Sequence, residues 1–144
     1  MNYEVGKIDA AVDQLDWAIR LFLDHQAYVP SITLAGAAEE IIGESLGDVA
    51  SLRKLQEQLS LRYQVDKKVL VQNHLNRSKN WLKHWNQLKD AAVGVFELET
   101  EAISYILRAI TNLANHDHTV SSETPRFLQW LQTHRKDLRE RTDA

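Results

Sequence analysis

Apolar residues recur along this chain in steps of three and four, the spacing that gathers them on one face of a helix. Ile8, Val12, Leu15, Ile19 and Phe22 keep that rhythm, with Ala11 and Ala18 on the same face, and predict a helix over about 7–26. Asp9, Asp13 and Asp16 lie in its first half, where carboxylates suit the positive end of the helix dipole. Pro30 restricts the residue before it to extended backbone, so this helix is expected to stop near Tyr28 and Val29. Pro30 and Ser31 then open a second helix over about 31–46, with the proline in a first turn where its missing N–H costs little.

The second helix carries Leu34-Ala35-Gly36-Ala37-Ala38 followed by Glu39-Glu40-Ile41-Ile42. Small residues in a run let another helix approach closely. Glu40 emerges a helical step past Gly36 and Ala37, near that contact, whereas its neighbour Glu39 points elsewhere on the helix. Gly43 and Gly47 loosen the helix end, and Asp48 is placed to cap a shorter amphipathic segment, about 48–61, built on Val49, Leu52, Leu55 and Leu59.

A long central helix, about 65–88, follows. Val71, Leu75, Ser78, Leu82 and Trp85 form its apolar stripe. Asn73, Arg77, Asn80 and His84 take the same steps about a hundred degrees round, forming a second stripe. Residues 90–94 read as a loop. Glu97, Glu99 and Glu101 then crowd the start of a helix over about 97–115, with Ala102, Ile106, Ile110 and Leu113 as core positions. Asn115-His116-Asp117-His118 ends it. Ser121 to Pro125 is a capping turn for a last helix carrying Phe127, Trp130, Leu131 and Leu138, and the charged tail from Arg135 is expected to fray.

The pattern predicts an all-α, single-domain, up-down bundle of four long helices plus one or two shorter ones, spanning residues 1–144. Five Gly and two Pro leave little punctuation for a many-turned β protein. The absence of Cys excludes disulfides, Fe–S clusters and thiolate zinc sites, and favours a cytoplasmic protein. No apolar run approaches membrane-spanning length, and the acidic opening stretch is unlike a signal peptide, so no membrane association is expected. The net charge of −3 conceals a division. Residues 1–61 hold 4 basic and 10 acidic side chains, residues 62–90 hold 7 and 2, and the remainder holds 6 and 8. Positive charge is thus concentrated about the central helix, where it would steer an anionic partner, although a solvated Lys/Arg face has the same composition.

Candidate chemistry is sparse. His116 and His118 flank Asp117, but HxH at a helix end sends its rings apart, and capping of the last carbonyls explains it better than zinc. His74 and His84 lie ten residues apart, too far for a local metal pair. There is no nucleophile elbow, no thiol and no glycine-rich phosphate loop, so no metal and no cofactor are expected. The stripe of Arg77, Asn80 and His84 remains. Cleaving RNA at its own 2′-OH needs a base for that proton and a cation for the charge on the phosphorane. One Arg and one His on a helix face supply that minimum, though as a bare pattern such residues are more often a surface pair without a role. Trp81, Trp85 and Trp130 read as core or interface rather than base-stacking platforms.

Arg77-Ser-Lys-Asn80-Trp-Leu-Lys-His84 resembles the R-x(4–6)-H signature of HEPN domains, here with six intervening residues. The order of elements is similar too: an opening amphipathic helix, Tyr28 with the Leu34 to Glu40 second helix, the motif, and a closing helix, together covering about 5–118. The resemblance implies a helical bundle, usually a homodimer, with two motifs facing one cleft. Many relatives are metal-independent ribonucleases of toxin–antitoxin, defence or RNA-processing systems. Others bind nucleotides or are non-catalytic partners of nucleotidyltransferases. Carried over by position, Arg77 would stabilise the phosphate, His84 would act as base or acid, and Asn80 would orient either. Lys79, Lys83, Asn73 and Glu40 would contact the bound RNA or nucleotide.

In the commonest family form an Arg directly precedes the polar residue that stands four before the His. Lys79 takes that place here, a point charge where Arg offers a planar fork. Arg77 lies two residues earlier, about 200 degrees away on the helix. The expected function is therefore a non-catalytic HEPN-like module that binds RNA or nucleotide or closes a dimer, alone or with an antitoxin or nucleotidyltransferase. A ribonuclease using Arg77 and His84, and a helical structural protein, are the alternatives.

Overall fold

The structure is a computed structural model that describes residues 1–63, 77–83, 97–117 and 119–138. Among the described residues every regular element is helical, and the helices pack as the expected all-α bundle. They are α1 (Lys7–His25), α2 (Tyr28–Leu46), a 3-10 turn (Gly47–Val49), α3 (Ser51–Tyr63), α4 (Arg77–Lys83), α5 (Leu98–Asn115) and α6 (Thr124–His134).

The bundle is organised about α2, which packs chiefly on α1 and α5 and also meets α4. Its buried residues explain how one helix serves three neighbours. Ser31, Ala35, Ala38 and Ile42 make one stripe, and Ile32, Gly36, Glu39 and Gly43 make another beside it. The first stripe faces α1, whose Ala18 carbonyl accepts the Ser31 hydroxyl at 2.8 Å. The second faces α4 and α5. Small residues make up most of the first stripe and half of the second, so three helices can approach one axis. The core is completed by Leu15, Ile19 and Phe22 of α1, Ile103, Tyr105, Ile106 and Leu113 of α5, and Phe127 of α6.

Two helix boundaries differ from those expected from the sequence. Helix α2 starts at Tyr28, so Val29 and Pro30 are helical rather than extended. The first helical hydrogen bond here runs from Ser31 N–H to the Ala27 carbonyl, and Pro30 occupies a first-turn place that needs no donor. Asp48 lies in the 3-10 turn instead of capping α3, after Gly47 has taken a φ of 61° that other residues seldom adopt. The expected central helix, about 65–88, falls largely outside the described residues, as does the 90–94 loop; its Arg77–Lys83 portion is helical.

Helix α6 is held at both ends. At its start, Asp16 of α1 accepts the Glu123 N–H and the Ser122 hydroxyl, each at 3.0 Å. Asp16 therefore caps a helix more than a hundred positions away, beyond its own first turn. Trp130 meets Phe22 edge to face, centroids 4.9 Å apart, in agreement with a core role. After the helix, Arg135 bonds Glu99 and Asp137, both at 3.0 Å, while Tyr28 donates to the other Glu99 oxygen. The described part of the charged tail is thus anchored, and Leu138 packs against the core.

Candidate functional site

Helix α4 carries the described part of the sequence stripe. Arg77 is its first residue, Asn80 is half-buried, and Lys83 is exposed. Asn73 and His84 lie outside the described residues, so the Arg77–His84 pair and its expected geometry lie there too.

Two buried side chains fix how α4 sits. The Ser78 hydroxyl donates to Glu101 Oε2 at 3.0 Å and lies 3.2 Å from the Tyr105 hydroxyl. The Lys79 backbone N–H reaches the same phenol at 3.4 Å. Ser78 thus belongs to the apolar stripe by position and satisfies its hydroxyl by meeting polar groups of α5.

Lys79 is the less expected of the two, being only 3% exposed. Its stem crosses α2 at Gly36, where an added Cβ would stand 2.5 Å from Lys79 Cδ and 2.9 Å from Cγ. Its ammonium emerges at Glu40, with Nζ 3.4 Å from Oε2. Lys83 approaches the same oxygen at 3.6 Å. A buried ammonium needs such a partner, and Gly36 gives the stem its passage. The run of small residues in α2 therefore accommodates a side chain of α4 as well as helix backbones.

The adjacent glutamates have opposite environments. Glu40 is half-exposed; partial burial raises its pKa, but Lys79 and Lys83 together outweigh that, and its carboxyl is held below the ordinary value. Glu39 is 2% exposed, and burial pushes its carboxyl up despite the opposing pull of Arg108 and Lys79. The Glu39 carbonyl accepts from Asn112 Nδ2 at 3.1 Å, and Asn112 Oδ1 accepts the Ser51 N–H at 2.8 Å. Asn112 thereby joins α2, the start of α3 and α5. Sequence reasoning singled out Glu40 but passed over Asn112, whose signal is its place seven residues after Tyr105 on the buried face of α5.

Among the described residues no group of three or more His, Asp or Glu side chains could hold a metal ion, and no helix is long and apolar enough to cross a membrane. His116 ends α5, its N–H reaching the Asn112 and Leu113 carbonyls. Its ring lies 3.9 Å from Asp117; His118 lies outside the described residues. Chemically, the arrangement around α4 offers a buried cation paired with a half-exposed carboxylate, one exposed lysine and one half-buried amide. Compared with family models, curated proteins and solved structures, the chain matches none.

Proposed function

We propose that this chain is a non-catalytic HEPN-like module that engages RNA, a nucleotide or a second copy of itself through the face of α4 bearing Arg77 and Asn80. The observation that carries the reading is the fate of Lys79. It stands where the family pattern has its arginine, yet its stem is packed over Gly36 and its charge is met by Glu40. A cation held this way is a structural tie between α2 and α4; it has neither the exposure nor the planar fork that would clamp a scissile phosphate. Binding would then rest on Arg77, Asn80 and Lys83, supported by the positive charge of residues 62–90. His84 and Asn73 extend the same stripe in sequence.

The deciding experiment incubates the full chain with several RNAs in EDTA, beside His84→Ala, while light scattering reports its mass. The expected result is no cleavage by either protein, with RNA or nucleotide affinity that falls on Arg77→Ala, or a dimer that the same substitution weakens. Cleavage by the parent, lost in His84→Ala and leaving 2′,3′-cyclic phosphate ends, would replace this reading with a metal-independent ribonuclease. Monomeric protein with neither binding nor cleavage would leave only a structural role.

A further inference from the structure

Where α2 gives way to the 3-10 turn and α3, the surface opens into a cleft of about 370 Å³. This is the size of a small-molecule site. Its charge is one-sided. Glu39, Glu40, Glu44, Asp48 and Glu57 line it, against Arg53 and Lys79, a formal charge of −3. Both cations stand beside carboxylates, Lys79 at Glu40 and Arg53 at Asp48. An anion has little to meet here, so the cleft is distinct in chemistry from the Arg77 face.

The floor carries a second, independent observation. Glu39 is almost wholly buried, and its Oε2 has no hydrogen-bond partner. Arg108 and Lys79 act on this carboxyl through space and do not supply that bond. A buried acceptor left unsatisfied is costly, and a donor arriving from outside would recover that cost. Glu39 is itself one of the residues lining the cleft, so its carboxyl borders the space a ligand would enter. A metal ion does not suit the site, since no three candidate ligands converge among the described residues. An organic cation suits it better, because ammonium and guanidinium groups carry several N–H donors and no acceptor. Gly43, Ala50 and Leu52 supply an uncharged wall for its stem.

We infer that this cleft binds an alkylammonium or alkylguanidinium group, which donates to Glu39 at the floor while its aliphatic stem lies along Gly43, Ala50 and Leu52. Such a group is carried by free polyamines and by the lysine or arginine side chains of peptides. The inference is independent of the reading of α4, and either can fail alone.

The test titrates the full chain with agmatine and, separately, with Nα-acetyl-arginine N-methylamide, following backbone amides by NMR and heats by calorimetry. The neutral citrulline analogue serves as control. Saturable binding that shifts the amides of Gly43, Ala50 and Leu52, ignores the citrulline analogue and weakens at least tenfold in Glu39→Gln would support the site. Tighter binding of agmatine would assign a free amine; tighter binding of the blocked arginine would assign a peptide side chain. Should Glu39→Gln fail to fold, Glu44→Gln on the exposed rim is expected to weaken binding about threefold by removing one long-range attraction. No saturable binding of either probe, equal binding of the citrulline analogue, unchanged affinity in the variant that folds, or shifts confined elsewhere would overturn the inference.

Discussion

The Cγ and Cδ atoms of Lys79 occupy the space that a side chain at Gly36 would need. Glycine is required there by proximity, since its backbone is ordinary helix. Gly36→Ala is expected to destabilise the fold by about 1–3 kcal/mol, as overpacking does, despite alanine's better helix propensity. Shortening the obstacle should relieve it. In a double-mutant cycle followed by urea unfolding, Gly36→Ala in a Lys79→Ala background should cost clearly less than in the parent. Additive costs would mean that the lysine stem is not what excludes a methyl group.

Glu39 and Glu40 are neighbours in sequence and opposites in linkage. Glu40 has a folded pKa below its ordinary 4.5, so the stability it contributes is present above that value and is lost as the pH falls through the lowered one. Glu39 has its folded pKa above 4.5, so its contribution is greatest below 4.5 and declines as the pH rises through the raised value. At pH 7, Glu40→Gln should therefore be less stable than the parent and Glu39→Gln at least as stable. Both differences should shrink as unfolding is measured at progressively lower pH, toward and below 4.5. A Glu40→Gln deficit that persists in acid would show packing rather than charge at work.

Asn112 is fully buried and uses both ends of its amide, one on α2 and one on the first residue of α3. Asn112→Ala should cost about 2–3 kcal/mol, the sum of two hydrogen bonds whose partners lose their mates. Because Ser51 loses its link, amide exchange at the start of α3 should quicken more than in α1. Uniform quickening would argue that Asn112 holds no particular junction.

Asp16 caps α6 from α1. Asp16→Ala is expected to lower stability by about 1–2 kcal/mol, at the upper end for a helix cap because the acceptor is a buried carboxylate. Asp16→Asn keeps an acceptor oxygen and should recover part of the loss. Thermal unfolding of the pair reads both effects.

The architecture was legible because helical periodicity survives in α1 and α5: Leu15, Ile19, Phe22, Ile106 and Leu113 sit in the core where their spacing put them. What spacing does not carry is the identity of the opposite face. The aspartates of α1 form one series in sequence, yet Asp16 is consumed by a helix far along the chain while Asp13 is exposed. Lys79 looked like a cation for a ligand because periodicity gives its direction on α4 but not the notch at Gly36 that receives it. Glu40 beside the small-residue run was readable for the converse reason, since a carboxylate at a close helix contact can meet whatever charge the neighbouring helix brings. Val29 was misplaced because the rule for a residue before proline describes a preference, and a helix start that needs no N–H from the proline can override it.

The position of α2 between partners on either side of it in sequence has a consequence for how the molecule comes to be. Its α1-facing stripe finds its complement only a few residues away, so an α1–α2 hairpin can form as soon as both are present. The Gly36–Glu39–Gly43 stripe has no such local partner, because Lys79 and Asn112 lie far along the chain. During synthesis from the N-terminus this stripe waits in water, and besides Ile32 it consists of two glycines and a glutamate. The apolar run of that stripe is thus broken by two glycines and an acidic residue, and a broken run is less prone to stick to another chain before α5 arrives than a continuous one.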